Sequence, residues 1–261
     1  NGVDITDRET IMRRIIETTD AKWVLQFAAY TNVQQAEAEK DLGEQSAAWK
    51  VNVTATQSIV DACRASNKHL LYIDTDYAFD GTRDRYVETD PIGPLCWYAK
   101  TKSEGADRVL TLGSAGLVMR ISNPYRAHPV GKTDFVHKMI DRHKAGGEIV
   151  APADQLFVPT FIDDIAWSVE TLVRANASGI YHVAGTEAVS PYQAATIVAE
   201  TFGYDARLVK PASFAEYFSG KAPVPQKAVL VTDKIRALGV RLHGFRDGVR
   251  EVKKQEETPA S

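Results

Sequence analysis

Two cysteines, Cys63 and Cys96, are all that 261 residues carry. That is too few for a disulfide framework, and they form no cluster of metal-ligand spacing. No apolar run approaches the ~20 residues that a membrane-spanning helix needs, and no basic-then-apolar leader is recognisable. Charge of one sign is missing too. Lys and Arg number 31 against 34 Asp and Glu, a net charge of −3, so nothing draws the chain to nucleic acid or an anionic membrane. Low complexity and internal repeats are absent. What is there is 44% hydrophobic and 25% charged, the composition of a folded globular protein. A reducing cytoplasm is the default compartment.

The hydrophobic pattern alternates strands with helices. A helix from Asp7, which can cap it, runs to about Thr18. Apolar runs Trp23–Ala29 (WVLQFAA), Leu70–Ile73 (LLYI) and Gly116–Ile121 (GLVMRI) read as strands buried on both faces. Long helical stretches, Gln45–Ala65 and Leu95–Leu110, lie between them. The predicted fold class is α/β, a Rossmann-like doubly wound parallel sheet. Past Asn123 the pattern loosens: helices at Phe135–Lys144 and Asp163–Val173, short strands near 148–150, 157–158, 180–183 and 208–209, and a helix announced by Ser190-Pro191. Short helices follow near 213–217, 233–238 and 244–252, and the tail QEETPAS is expected to fray. The expected division is a dinucleotide-binding domain over 1–122 and a smaller mixed α/β substrate lobe over 123–261, with about 157–175 returning to the first.

Residues 74–94, rich in Asp, Thr, Gly and Pro, make a long loop of the kind that carries function. Thr75 stands just past the strand LLYI, where a parallel sheet opens its ligand crevice. Tyr98 and Lys102 follow at i and i+4 on one helical face. An ammonium beside a phenol favours the phenolate and lowers its pKa from the usual ~10, equipping Tyr98 for proton exchange. Thr75 is placed to bind the carbonyl that Tyr98 also touches.

DTDYAFDG (74–81), the segment Glu88–Pro94 and YAKTK (98–102) resemble the extended short-chain dehydrogenases/reductases, and among them the dTDP-4-dehydrorhamnose reductases. Further matches follow in order: Asp4-Ile5-Thr6-Asp7, FAAYTNVQQAE (27–37), VNVTAT (51–56), QLFVPT (155–160) and the segment 224–234. The resemblance spans almost the whole chain. It implies an NADPH- or NADH-dependent reduction of the C4 ketone of a nucleotide-linked deoxysugar; it assigns no metal ligands and leaves metal dependence unread. Tyr98 is then the proton donor, Lys102 the ligand of the nicotinamide ribose and Thr75 the holder of the substrate oxygen. Asp4 and Ile5 meet the adenine. Ala28, Ala29, Tyr30, Ile121 and Ser122 line the cofactor groove. Asp76, Tyr77, Phe79, Asn123, Pro159 and Thr160 lie on the sugar-nucleotide side. Asn52 is either a helix residue tied to the sheet backbone, the reading favoured, or part of a proton relay. The implied partner is the nucleotide sugar, with neither nucleic acid nor membrane; a homodimer is compatible.

Departures accompany the resemblance. Asp74 stands where Ser usually precedes the Thr, Gln26 where Asn is common, Ala99 where Gly often follows the Tyr, Cys96 where a polar residue is frequent, and Asn123 where rhamnose reductases carry Trp. Losing that stacking surface changes which sugar binds. The superfamily's glycine-rich phosphate turn, G-x-x-G-x-x-G, is not found; Gly146-Gly147 precedes a short strand and cannot replace it. The expectation is that the first strand, the glycine turn, the first helix and the second strand lie upstream of Asn1, which leaves NADP or NAD preference unread. Two other readings stand beside the reductase: a non-catalytic subunit similar to the regulatory subunit of methionine adenosyltransferase, and another extended member such as an epimerase or dehydratase.

Overall fold

The computed structural model describes residues 3–17 and 20–258; Asn1, Gly2, the predicted helix end at Thr18 and the last three residues of the tail fall outside them. The first helix, α1, spans Arg8–Glu17 and is followed by β1 (Trp23–Gln26). Two short helices, α2 (Val33–Ala38) and α3 (Ala47–Trp49), lead into α4 (Ala55–Ser66), then β2 (His69–Thr75), α5 (Trp97–Leu110) and β3 (Gly116–Ile121). The rest runs β4 (Pro124–Tyr125), α6 (Phe135–Lys144), β5 (Ile149–Pro152), β6 (Leu156–Phe157), β7 (Thr160–Phe161), α7 (Ile162–Arg174), β8 (Gly179–Val183), α8 (Pro191–Phe202), β9 (Val209–Ala212), α9 (Phe214–Tyr217), β10 (Lys227–Ala228), α10 (Asp233–Arg236) and α11 (Phe245–Glu257).

Four strands form the main sheet in the order β1-β2-β3-β8, every pair parallel. The period-2 alternation of its strands sorts side chains to two faces. Leu70, Tyr72 and Val118 pack with Ile11, Ile59, Ala106 and Val109 of α1, α4 and α5. Leu71, Leu117 and Met119 pack with Ile165 and Leu172 of α7 and Ile235 of α10. Covering both faces is why these strands read as unbroken apolar runs. A separate core joins Tyr125, Val136, Ile140, Phe157, Val198, Phe245 and Val249, uniting α6, α8 and α11. Ser190 begins α8 with a reciprocal capping box to Gln193, as its Ser-Pro opening predicts.

Several boundaries differ from expectation. β1 ends at Gln26 rather than Ala29, since Phe27 and Ala28 are exposed and have no neighbouring strand to pair with among the described residues. The single helix expected over Gln45–Ala65 is broken by a π turn at Lys50–Thr54. The helix α2 went unpredicted. The C-terminal helix continues to Glu257, where fraying was expected, because Val249 and Val252 anchor it in the core and His137 bonds Glu256 at 2.6 Å.

Candidate active site

The site forms at the carboxyl edge of the sheet. Thr75 is the last residue of β2, and its hydroxyl accepts from the Tyr77 backbone N–H at 3.2 Å. α5 starts at Trp97, whose N–H the Glu37 carboxylate accepts at 2.8 Å; a carboxylate at a helix N-terminus is favourable. That start places Tyr98 and Lys102 one turn apart. Tyr98 and Thr75 are neighbours, the Thr75 hydroxyl favouring the phenolate of Tyr98, so the residues read as a proton donor and a carbonyl holder stand side by side.

The chain of bonds continues. Thr75 donates to Asp76 Oδ1 at 3.2 Å, and Ser122 Oγ donates to Asp76 Oδ2 at 2.6 Å. Asp76 is buried, and burial pushes its carboxyl up to about 7 despite these bonds. Lys102 donates to the Ile73 carbonyl at 2.6 Å, and its ammonium lies 3.9 Å above the Tyr72 ring centre. Burial lowers it to about 8, opposed by the charge of Asp74. Tyr98 corrects one expectation: its phenol is raised rather than lowered, because burial dominates and Asp74, Asp76 and Cys96 add to it against the Thr75 hydroxyl.

Asn52 holds the adjoining strand end. Its Oδ1 accepts from Tyr30 N at 2.8 Å, and its Nδ2 donates to Tyr30 O at 3.1 Å and to Thr101 Oγ1 at 3.0 Å. The π turn brings Asn52 to this position. One side chain thus ties Ala28-Ala29-Tyr30 to the helix bearing Tyr98, in line with its reading as a residue tied to the sheet backbone.

Of the other predicted residues, Ser122 and Asn123 flank Asp76 at the end of β3, Asn123 with a positive φ of 39°, and Ile121 pairs with Thr75 across the strands. Tyr77 meets Tyr98 edge to face at 6.1 Å. Asp4 is exposed in the turn before α1, where Thr6 bonds hold its pKa down, and Ile5 packs under the sheet helices. Three residues lie away from the cleft wall. Phe79 is fully buried, stacked on Tyr86 at 4.2 Å. Pro159 is buried and its carbonyl approaches Gly185, where a Cβ would meet it at 2.5 Å. Thr160 is buried, its hydroxyl donating to Ser122 O at 2.7 Å. They brace the crevice from behind.

A cleft of about 470 Å³ opens from Asp76, Tyr77 and Asn123. Its far wall comes from residues the motif reading missed: Phe135, Lys138, Met139 and Arg142 of α6, and Tyr217 and Phe218. The amphipathic pattern of FVHKMIDRHK (135–144) marked a helix; which stripe met the cleft depends on contacts with α8 and β5. The cleft is apolar and aromatic-lined, with Lys138 and Arg142 opposite in sign to Asp76 and Glu148, a lining that suits a flat ring with a polar group attached. Among the described residues no cluster of metal-ligand type is present.

With Thr75 at a strand end, Tyr98 beside it and Lys102 one turn on, the carboxyl edge of this parallel sheet has the arrangement of an extended short-chain dehydrogenase/reductase. The chain belongs to the RmlD substrate binding domain family, which it matches over residues 1–258. It is 34% identical over 203 residues to the dTDP-4-dehydrorhamnose reductase of Aggregatibacter actinomycetemcomitans, an alignment covering 75% of this chain and 66% of that protein. It is 30% identical over 242 residues to the dTDP-4-keto-6-deoxy-D-glucose reductase of Streptomyces niveus, covering 92% and 81%. The structure of the Bacillus anthracis dTDP-4-dehydrorhamnose reductase in complex with NADP superposes with a TM-score of 0.87 at 27% identity, over 97% of this chain and 87% of that one. The fold and the oxidoreductase class expected from the sequence agree with these likenesses.

Proposed function

We propose that the protein reduces the C4 ketone of a dTDP-linked deoxysugar with NADPH or NADH. The placement of Tyr98 beside Thr75, next to the cleft that Asp76 and Tyr77 open, carries this reading. The ribose–nicotinamide half of a dinucleotide fits here: Lys102 has three N–H donors, of which the Ile73 carbonyl takes one, and Ala28–Tyr30 and Ile121–Ser122 supply the groove. When bound, the nicotinamide supplies the hydride. Thr75 orients the sugar carbonyl, and Tyr98 gives its phenolic proton to the oxygen as negative charge develops there. A phenol kept protonated by burial suits a donor. Asp76, ionising near neutral pH and bonded to Thr75 beside Tyr98, is the acid placed to replace that proton. Lys138 and Arg142 hold the diphosphate, and Asn123 takes part in selecting the sugar.

Tyr98→Phe removes the donor and leaves the groove. It is expected to lower ketone reduction by a factor on the order of 10²–10⁴ with NADPH affinity unchanged, measured by NADPH oxidation with dTDP-4-dehydrorhamnose. Turnover near the wild-type rate refutes the mechanism. NADPH affinity without oxidation in the wild type points instead to a binding subunit.

A further inference from the structure

Three ionisable side chains stand in register across three strands directly behind Tyr98 and Lys102. Asp74 of β2 pairs with Arg120 of β3, and Arg120 with His182 of β8. They are 1%, 3% and 0% exposed. Arg120 Nε donates to Asp74 Oδ2 at 2.9 Å and the guanidinium lies 5.1 Å from the Phe79 ring centre. Asp74 Oδ1 and Arg120 Nη1 are buried with no hydrogen-bond partner among the described residues. The pair therefore leaves hydrogen-bonding capacity unused at both ends, a costly arrangement to bury for stability alone.

Position explains it. Side chains two apart on a strand share a face about 7 Å apart, so Asp74 follows Tyr72 on the face covered by α5. The Lys102 ammonium lies over the Tyr72 ring and bonds the carbonyl of Ile73, the residue between them. We infer that Asp74, held by Arg120, is the counter-charge that keeps the buried Lys102 protonated, and so acts as a positioning residue for the Tyr98–Lys102 pair. The usual Ser at this place has no charge to offer. The other ionisable groups facing this spot are Tyr72 and Arg120 from the sheet, Tyr98 and Asp107 from α5, and Asp76 from the turn after β2. Tyr72 and Tyr98 are both raised, in part by Asp74, and so stay neutral. Asp107 is raised by burial, Glu104 and Asp74, with Arg120 opposing. His182, lowered to about 3 by burial and by Arg120, is neutral as well. Asp76 is itself pushed up to about 7 by burial and Arg120 is engaged by Asp74, which leaves Asp74 as the charge that opposes burial at Lys102.

The test is the titration of Lys102 itself, which needs no substrate and is independent of the proposed reaction. The full chain is labelled with [13Cε]lysine, and the Lys102 resonance is assigned by its loss in Lys102→Arg. In D74N the Lys102 midpoint is expected to fall by about one pH unit or more, the effect of removing an adjacent opposite charge, and D74E restores it. D74S/R120M, which leaves no uncompensated buried charge, serves where D74N does not fold; because the Arg120 cation goes as well, its midpoint falls by less than in D74N but still falls. A midpoint that stays within about 0.3 unit of wild type, or rises, in whichever variant folds overturns the inference and leaves Asp74–Arg120 a structural pair.

Discussion

Gly105 lies in the middle of α5, three residues past Lys102, where helix propensity alone argues for replacement. Gly105→Ala in an unconstrained helix gains about 1 kcal/mol. Here the new Cβ points at the Asn52 carbonyl oxygen and would lie 2.6 Å from the Tyr72 hydroxyl. The first obstacle is backbone in the π turn and cannot rotate away. The second is a fully buried ring whose hydroxyl bonds Lys102 O at 3.3 Å. Relief requires α5 to move off the sheet. Overpacking of this kind costs about 1–3 kcal/mol, and the strained Tyr72 bond about 1 kcal/mol more, so the net effect is a loss of about 1–3 kcal/mol despite the propensity gain. The same displacement moves Tyr98 and Lys102 relative to Thr75, and reduction falls by a factor on the order of 10 to 100. Urea unfolding of G105A beside wild type reads the first quantity and NADPH oxidation the second. A variant as stable as wild type, or more so, would show that α5 does not seat against the π turn as described.

Asp76 makes stability depend on pH. Its folded value of about 7 lies above the unfolded ~3.9, so the folded state binds a proton that the unfolded chain has already released. Stability from this group is therefore lost as pH rises from about 4 to 7 and is level above that. Melting curves at about pH 5 and 8 are expected to show wild type losing ground to D76N, and parallel behaviour refutes the assignment. Asn52→Ala removes all three bonds that join Tyr30 to Thr101 and is expected to cost about 2–3 kcal/mol in chemical denaturation, with N52D intermediate because it keeps the acceptor for Tyr30 N. Ser190→Ala opens the capping box of α8 and lowers stability by about 1 kcal/mol, read by the same unfolding assay with the rate of reduction unchanged.

The parallel sheet was legible because strands covered on both faces must be apolar throughout, and Leu70–Ile73 and Gly116–Ile121 announce themselves. Thr75, Tyr98 and Lys102 could be found because strand ends and helical spacing are local. Phe79, Pro159 and Thr160 share motifs with cleft residues, but burial is decided by what arrives from elsewhere: Tyr86 over Phe79 and Ser122 against Thr160. The direction of the Tyr98 pKa was misread for the same reason. Spacing revealed the neighbouring lysine and not the buried carboxylates of Asp74 and Asp76. The Asn52 junction was visible only as a choice of roles, since no pattern in one sequence specifies a π turn. The aromatic wall of the cleft, from Phe135 to Phe218, is assembled from segments more than 80 residues apart by number.

The π turn at Lys50–Thr54 also decides which lengths the chain tolerates. One residue more than an α-turn needs is accommodated there. Deleting a single residue would let α3 and α4 run as one regular helix, an apparent gain. It would also turn everything before the deletion by about 100° and shift it by about 1.5 Å relative to α4, carrying Asn52 away from Tyr30. The segment thus works as a spacer whose length is fixed from both sides, by the strand end that Asn52 clasps and by the glycine that lets α5 lie against its backbone. Insertions and deletions have room in the exposed stretch around Val130; at residues 50–54 they would disconnect the site while leaving the helix intact.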